Sequence, residues 1–314
     1  MTSSIAFLFP GQGSQAVGMG KELAEKYSVA RQAFVEADAA LGFSLSQLCF
    51  EGPDDQLRLT ENTQPAILTV SVATWRVLKQ SGIEPAWVAG HSLGEYSAHV
   101  AAGTLSFADA VRTVRNRGRY MQEAVPVGVG AMAAILGMDT ENVRQICVDA
   151  SQGEVCEPAN VNSPEQVVIS GNRSAVGRAV ALAAERGAKK AVLLPVSAPF
   201  HCSLMQPAQE RLAADLKALQ MQNPSVPVMC NVDAALVRTA DASRDALVRQ
   251  VIGAVRWDEC VRGLIAKGAE TFVEVGPGKV LWGLMRQIDR GKTSSQTSDD
   301  AALQKTLQGL VVAN

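Results

Sequence analysis

The chain has 314 residues, 47% of them apolar and 19% charged, the composition of a soluble globular protein with room for one large domain or two ordinary ones. A formal net charge of −2, from 29 basic and 31 acidic residues, supplies no field for nucleic acid, and no stretch approaches the ~20 apolar residues of a membrane span. The six cysteines, Cys49, Cys147, Cys156, Cys202, Cys230 and Cys260, lack the CxxC spacing of a zinc or redox site, so no metal is expected and a reducing cytoplasm is.

In chain order, Ile5-Ala6-Phe7-Leu8-Phe9 is a continuous apolar run, the pattern of a strand buried on both faces and too short for a secretory signal core. Pro10-Gly11-Gln12-Gly13-Ser14-Gln15 follows as a turn, and residues 20–41 read as one helix. Residues 64–81 read as a buried helix, 87–90 as a strand, 91–95 as a sharp turn, and 96–102 as a small-residue helix. Residues 106–123 form a further helix with an apolar stripe at Val111, Val114, Gly118 and Met121, the 3, 4, 3 spacing of one face.

A Pro/Gly break at residues 125–130 changes the character. Strand 131–136, helix 140–150, strands 155–160 and 166–171, helix 174–186 and strand 188–195 then give βαββαβ, the ferredoxin-like unit. It closes on itself, so residues 126–198 read as a small domain inserted into a larger one made of residues 1–125 and 199–314. The larger domain resumes with helix 205–219, strand 227–232, helices 242–251 and 257–267, and a last buried strand, 271–275. Residues 291–300, rich in Ser, Thr and Asp, read as a mobile tail. The fold class is α/β, a parallel-sheet domain carrying an inserted α+β subdomain.

Gly90-His91-Ser92-Leu93-Gly94 fits G-x-S-x-G, with a strand before and a helix after. That context lifts a serine hydroxyl above the sheet edge and sets the next N–H at a helix N-terminus, where it can stabilise an oxyanion. The bland alternative is an N-cap serine. A serine nucleophile needs a base, and the chain has three histidines, His91, His99 and His201. His91 adjoins Ser92 and diverges from it; His99 lies two helical turns on, ~10 Å away. His201 remains, in a loop after a strand, where α/β folds build their sites. The candidate carboxylates between them (Asp139, Asp149, Glu154, Glu157 and Glu165) all fall in the insertion, so a dyad without a carboxylate is the expectation. Arg117, at the edge of an apolar stripe, is either a binder of an anion or a structural cation.

Six ordered blocks then resemble one family. They are Phe9-Pro10-Gly11-Gln12-Gly13-Ser14-Gln15, Gly90 to Glu95, Arg117, Pro199-Phe200-His201, Gln250 before Val255-Arg256-Trp257, and Glu274-Val275-Gly276-Pro277-Gly278. Together they resemble the malonyl-CoA:acyl carrier protein transacylases, relatives of polyketide synthase acyltransferase domains, over the whole chain. The resemblance implies a hydrolase-like domain with a ferredoxin-like insertion, and a malonyl ester on Ser92. It implies His201 as the base, oriented by the backbone carbonyl of Gln250, and an oxyanion hole from the N–H groups of Gln12 and Leu93. It makes Arg117 the clamp on the malonyl carboxylate and puts Asn160 and Asn162 near the pocket, where structural asparagines fit equally well. Malonyl-CoA, coenzyme A and a phosphopantetheinylated acyl carrier protein are the implied partners, with no cofactor. Lys189, Lys190, Arg286 and Arg290 are candidate docking charges for an acidic carrier, or plain solvated surface. Rival readings are a hydrolase, the malonyl transferase subunit of malonate decarboxylase, a free-standing polyketide acyltransferase, and a non-catalytic carrier-binding scaffold.

Overall fold

Ile5–Phe9, apolar at every position and buried on both faces, makes strand β1. The computed structural model describes residues 4–312; the outermost residues of the expected large domain, 1–3 and 313–314, lie outside them. After β1 come α1 (Lys21–Lys26), α2 (Ser28–Leu41), α3 (Leu45–Glu51), α4 (Asp54–Leu57) and α5 (Thr60–Gln80). Next are β2 (Trp87–Gly90), α6 (Gly94–Ala101) and α7 (Phe107–Ala124). Then follow β3 (Gly130–Leu136), α8 (Thr140–Ser151), β4 (Cys156–Ser163), β5 (Gln166–Asn172), α9 (Arg173–Glu185) and β6 (Lys190–Leu193). The chain closes with α10 (Gln206–Ala218), β7 (Val228–Cys230), β8 (Ala235–Val237), α11 (Ala240–Arg249), α12 (Trp257–Ala266), β9 (Thr271–Glu274), α13 (Val280–Ile288), β10 (Thr293–Gln296) and α14 (Asp300–Val312).

The main sheet has the order β10-β9-β1-β2-β7-β8. All its pairs are parallel except β7 with β8, so the α/β expectation with a parallel core holds. The second sheet, β4-β5-β3-β6, is antiparallel throughout. Its order along the βαββαβ run is that of a ferredoxin-like unit. Helices α8 and α9 cover one face with a core of Ile135, Val143, Ile146, Val167 and Ile169. The other face turns Met132, Ala159 and Val168 toward Phe200 of the main body. The small sheet is stapled to that body at β4: Val161 N–H donates to Val255 O at 2.9 Å, and Val255 N–H donates to Ala159 O at 2.8 Å. Among the described residues no helix is long and apolar enough to cross a membrane.

Four expectations change. Helix 20–41 is two helices, because Tyr27 turns extended (φ −118°) and its hydroxyl donates to Asp300 Oδ1 at 2.7 Å. The buried helix begins at Thr60, with Pro65 inside it; having no N–H, Pro65 leaves the Glu61 carbonyl without its helical bond. Strand 271–275 is not the last, and residues 291–300 are not a loose tail. Thr293–Gln296 pairs with β9 in parallel register, and the Thr297 hydroxyl donates to Glu274 O at 2.9 Å while accepting from Gly276 N–H at 3.1 Å. Helices α3, α4, α13 and α14 and strand β8 complete the count of elements that the pattern did not reveal.

Thr297 is 5% exposed, so Thr297→Val strands a buried N–H. It should cost about 2 kcal/mol, read as a lower denaturation midpoint with an unchanged slope; an unchanged midpoint would return this segment to the loose tail.

Candidate active site

β2 ends at Gly90 and α6 begins at Gly94, so the chain reverses within three residues. A Cβ on Gly90 would sit 1.9 Å from the Gly94 carbonyl carbon, and one on Gly94 would sit 2.2 Å from the Phe9 carbonyl oxygen. Only glycine fits both ends. Between them Ser92 holds φ at 52°, a left-handed conformation that costs a non-glycine residue roughly 1–3 kcal/mol. The buried Asn231, just after β7, holds the turn: its Oδ1 accepts from Ser92 N–H and its Nδ2 donates to Gly90 O, each at 2.8 Å.

His201 arrives from the loop before α10, also left-handed at φ 58°. Its Nδ1 lies 2.9 Å from Gln250 O and 3.2 Å from Gly253 O. Carbonyls only accept, so Nδ1 carries the proton and Nε2 is the free acceptor. That Nε2 stands 2.7 Å from Ser92 Oγ, so the hydroxyl donates to it. Burial first, then the Arg117 guanidinium, push His201 down to about 3; the ring is neutral at pH 7. Two backbone carbonyls thus occupy the place a carboxylate takes in a serine triad.

Arg117 is 2% exposed, yet no carboxylate touches it. Nη1 donates to Gln64 Oε1 at 2.7 Å; Nη2 donates to Gln250 Oε1 at 3.0 Å and to Ser92 Oγ at 3.1 Å. Nε has no partner among the described residues. A buried guanidinium held only by neutral oxygens retains its demand for an anion.

Around these groups lies a cavity of about 210 Å³, walled by the main body and the small sheet together. Gln12, Leu93, Asn160 and Asn162 all line it. The N–H groups of Gln12 and Leu93 donate to no protein acceptor among the described residues, and Leu93 stands at the start of α6, where the helix dipole adds to its pull on an anion. Asn160 and Asn162 both reach the cavity from β4, whose register with β5 shifts on either side of Asn160 and Val161. Asn162 Oδ1 is 2.8 Å from His91 Nε2. His99, buried with both ring nitrogens unpartnered, lies outside the cavity lining. Apolar walls come from Met121, Met132, Val168, Leu194, Val196 and Phe200. Of the surface cations, Lys189 pairs with Glu165 at 3.0 Å and Arg286 lies over the Trp282 ring at 5.1 Å. No cluster of metal-ligating side chains occurs among the described residues.

Three polar residues of the site escape sequence reasoning. Gln64 lies in the second turn of α5 with no local motif. Asn231 is marked only by following a strand. Glu95 stands inside the elbow block without a role. Its carboxylate is fully buried, accepting on Oε2 from Asn231 N–H at 2.9 Å and from Gln250 Nε2 at 2.8 Å. Burial pushes it up to about 7.

Residues 6–308 match the acyl transferase domain family. The chain is 50% identical over 306 residues to the malonyl CoA-acyl carrier protein transacylase of Salmonella typhimurium, covering 97% of this chain and 99% of that protein. The crystal structure of an acyl carrier protein S-malonyltransferase from Vibrio cholerae superposes with a TM-score of 0.95 at 50% identity, over 97% of this chain and 100% of that one. A malonyl-transacylase in complex with its type II PKS acyl-carrier protein superposes with a TM-score of 0.95 at 45% identity, over 98% and 100% of the two chains.

A depressed histidine stays in its basic form until the pH falls to its own pKa, far below the usual 6.5. Labelling of Ser92 by a phosphonylating reagent should therefore show no inflection near pH 6.5. A rate that halves there would mean that His201 is solvated and not held as described.

Proposed function

The chain belongs to the malonyl CoA-acyl carrier protein transacylases of the acyl transferase family, and from that membership and the geometry of the cavity we propose its reaction and the part each residue plays. The enzyme carries a malonyl group from malonyl-CoA to the phosphopantetheine thiol of acyl carrier protein, supplying extender units for fatty acid synthesis. The observation that carries the reading is the pairing of a base-activated serine with a buried, carboxylate-free guanidinium 3.1 Å away.

The steps follow from the donors and acceptors. The malonyl carboxylate enters against Arg117, which offers a planar fork that neutral oxygens have not saturated. That contact sets the thioester carbonyl over Ser92 Oγ. His201 Nε2 takes the hydroxyl proton as Oγ bonds to the carbonyl carbon, and the oxyanion is received by the N–H groups of Gln12 and Leu93. Collapse breaks the C–S bond, and His201 returns the proton to the departing coenzyme A thiolate. The carrier thiol then enters the vacated site, loses its proton to the same nitrogen and attacks the ester carbonyl; the C–Oγ bond breaks, and His201 returns the proton to Ser92 Oγ. Gln250 orients His201 through its carbonyl at 2.9 Å. Asn160 and Asn162 face the acyl chain from the small sheet, the part of the chain that we assign to an inserted domain of residues 126–198. Six free, buried thiols support a cytoplasmic setting.

Intact-mass spectrometry tests this directly. Malonyl-CoA should leave a malonyl adduct that Ser92→Ala abolishes and that added carrier protein removes to itself; loss to water alone, independent of carrier, would make the protein a hydrolase. Arg117→Ala should lower the malonyl-to-acetyl preference on the order of 100-fold, the worth of a buried charge-assisted fork. An unaltered preference would reduce Arg117 to a structural cation.

A further inference from the structure

Gln250 has a side chain as well as a carbonyl, and the side chain touches a different half of the site. Its Oε1 accepts from Arg117 Nη2 at 3.0 Å, while its Nε2 donates to Glu95 Oε2 at 2.8 Å and to Ser92 O at 3.0 Å. A primary amide has one accepting end and one donating end. Flipped, this one would set Nε2 against the guanidinium and Oε1 against two oxygens. On the donating side Glu95 is the strong partner in its ionised form, since a charged acceptor roughly doubles the bond; with its carboxyl group pushed up to about 7, that form predominates above neutral pH. Glu95 itself is fixed by Asn231 N–H at 2.9 Å. Glu95 Oε1 and Arg117 Nε are both buried and unpartnered; the guanidinium is near enough to act on the carboxyl group electrostatically, yet the two do not pair directly.

We propose that Glu95 is a positioning residue for acyl selectivity: through the Gln250 amide it holds the Arg117 guanidinium in register with the cavity, as a counterion one amide removed. The arrangement solves a conflict. A carboxylate bonded straight to Arg117 would take the fork that the substrate's carboxylate needs. A guanidinium with no anion nearby would be costly to bury. An amide interposed between the two charges keeps the field of the anion and leaves the fork's front open. The proposal rests on Arg117 as the receptor of the malonyl carboxylate.

The test compares kcat/KM for malonyl-CoA and for acetyl-CoA, which lacks the distal carboxylate, in wild type, Glu95→Gln, Glu95→Ala, Arg117→Ala and the Glu95→Ala/Arg117→Ala double variant. Glu95→Ala should lower the malonyl-to-acetyl ratio about tenfold or more, the worth of one charge-assisted hydrogen bond. Glu95→Gln, whose amide oxygen takes the place of Oε2 but carries no charge, should lower the ratio by less than Glu95→Ala does, about threefold. In the Arg117→Ala background the Glu95 change should leave the ratio where Arg117→Ala put it, because both act on one element. Equal losses on both substrates, or a ratio that falls equally with and without Arg117, would overturn the proposal and leave Glu95 as a support of the elbow through Asn231. Glu95→Asp covers a misfolded alanine variant: it retains an acid but withdraws it from Gln250 by one methylene. It should lower the ratio likewise, and an unchanged ratio overturns the proposal. A ratio that Arg117→Ala does not change would instead defeat the reading of Arg117 itself.

Discussion

A hydroxyl and an imidazole 2.7 Å apart, from residues separated by 109 positions, are the contact on which the rest of the molecule turns. Each partner reaches it in a left-handed backbone conformation, φ 52° for Ser92 and 58° for His201. Neither would hold that state alone, since the cost in each case is of order 1–3 kcal/mol. The surroundings over-determine them. Two glycines without room for a Cβ fix the elbow from its ends, and Asn231 fixes it from beneath with two hydrogen bonds. Two carbonyls fix the imidazole, its tautomer and its direction. The parallel sheet supplies the rigid edge from which β1, β2 and β7 deliver their following loops to one place.

The guanidinium of Arg117 ties this pair to the rest of the pocket in two directions. Through Gln64 and Thr60 it connects to Gln12, whose Oε1 accepts from Thr60 Oγ1 at 2.9 Å. Through Gln250 it connects to Glu95, Asn231 and the elbow. One buried cation therefore organises polar groups on α5, α6 and α7, each nearly or fully removed from water. In a low-dielectric interior such a network rigidifies its members when satisfied and is costly when one is lost. The uncommitted donors, Arg117 Nε and the N–H groups of Gln12 and Leu93, all belong to residues that line the cavity.

Much of this was legible because the relevant signals are local. An apolar run followed by Gly-x-Ser-x-Gly specifies strand, elbow and helix within ten residues, and a count of three histidines leaves one in a strand-end loop. Periodicity of two and of 3.6 separates the small sheet's strands from its helices. The illegible parts are those decided by distant contacts. Thr293–Gln296 has the composition of a loop, and it is a strand because β9 offers it an open edge. Helix 20–41 breaks at Tyr27, where the phenol and the adjacent Lys26 both reach Asp300, over 270 residues on. The Gly276-Pro277-Gly278 turn reads as an ending, whereas Glu274 reaches past it to accept from Leu281 and Trp282 N–H and start α13. Gln64, Asn231 and Glu95 have polar roles that no spacing encodes, because the partners that give them those roles (Arg117, the Gly90–Ser92 turn and Gln250) lie on other elements.

The loop between α11 and α12 serves more masters than its length suggests. Gln250 O and Gly253 O grip the imidazole; Val255 staples β4 by both its N–H and its carbonyl; Arg256 N–H donates to Asn231 O at 3.2 Å. Seven consecutive residues thus anchor the imidazole of His201, the β4 wall of the cavity and the Asn231 clamp beneath Ser92. Mechanically they are a single bracket. The β4 wall of the cavity and the imidazole of His201 therefore depend on one and the same loop, so a substitution within residues 250–256 disturbs both at once.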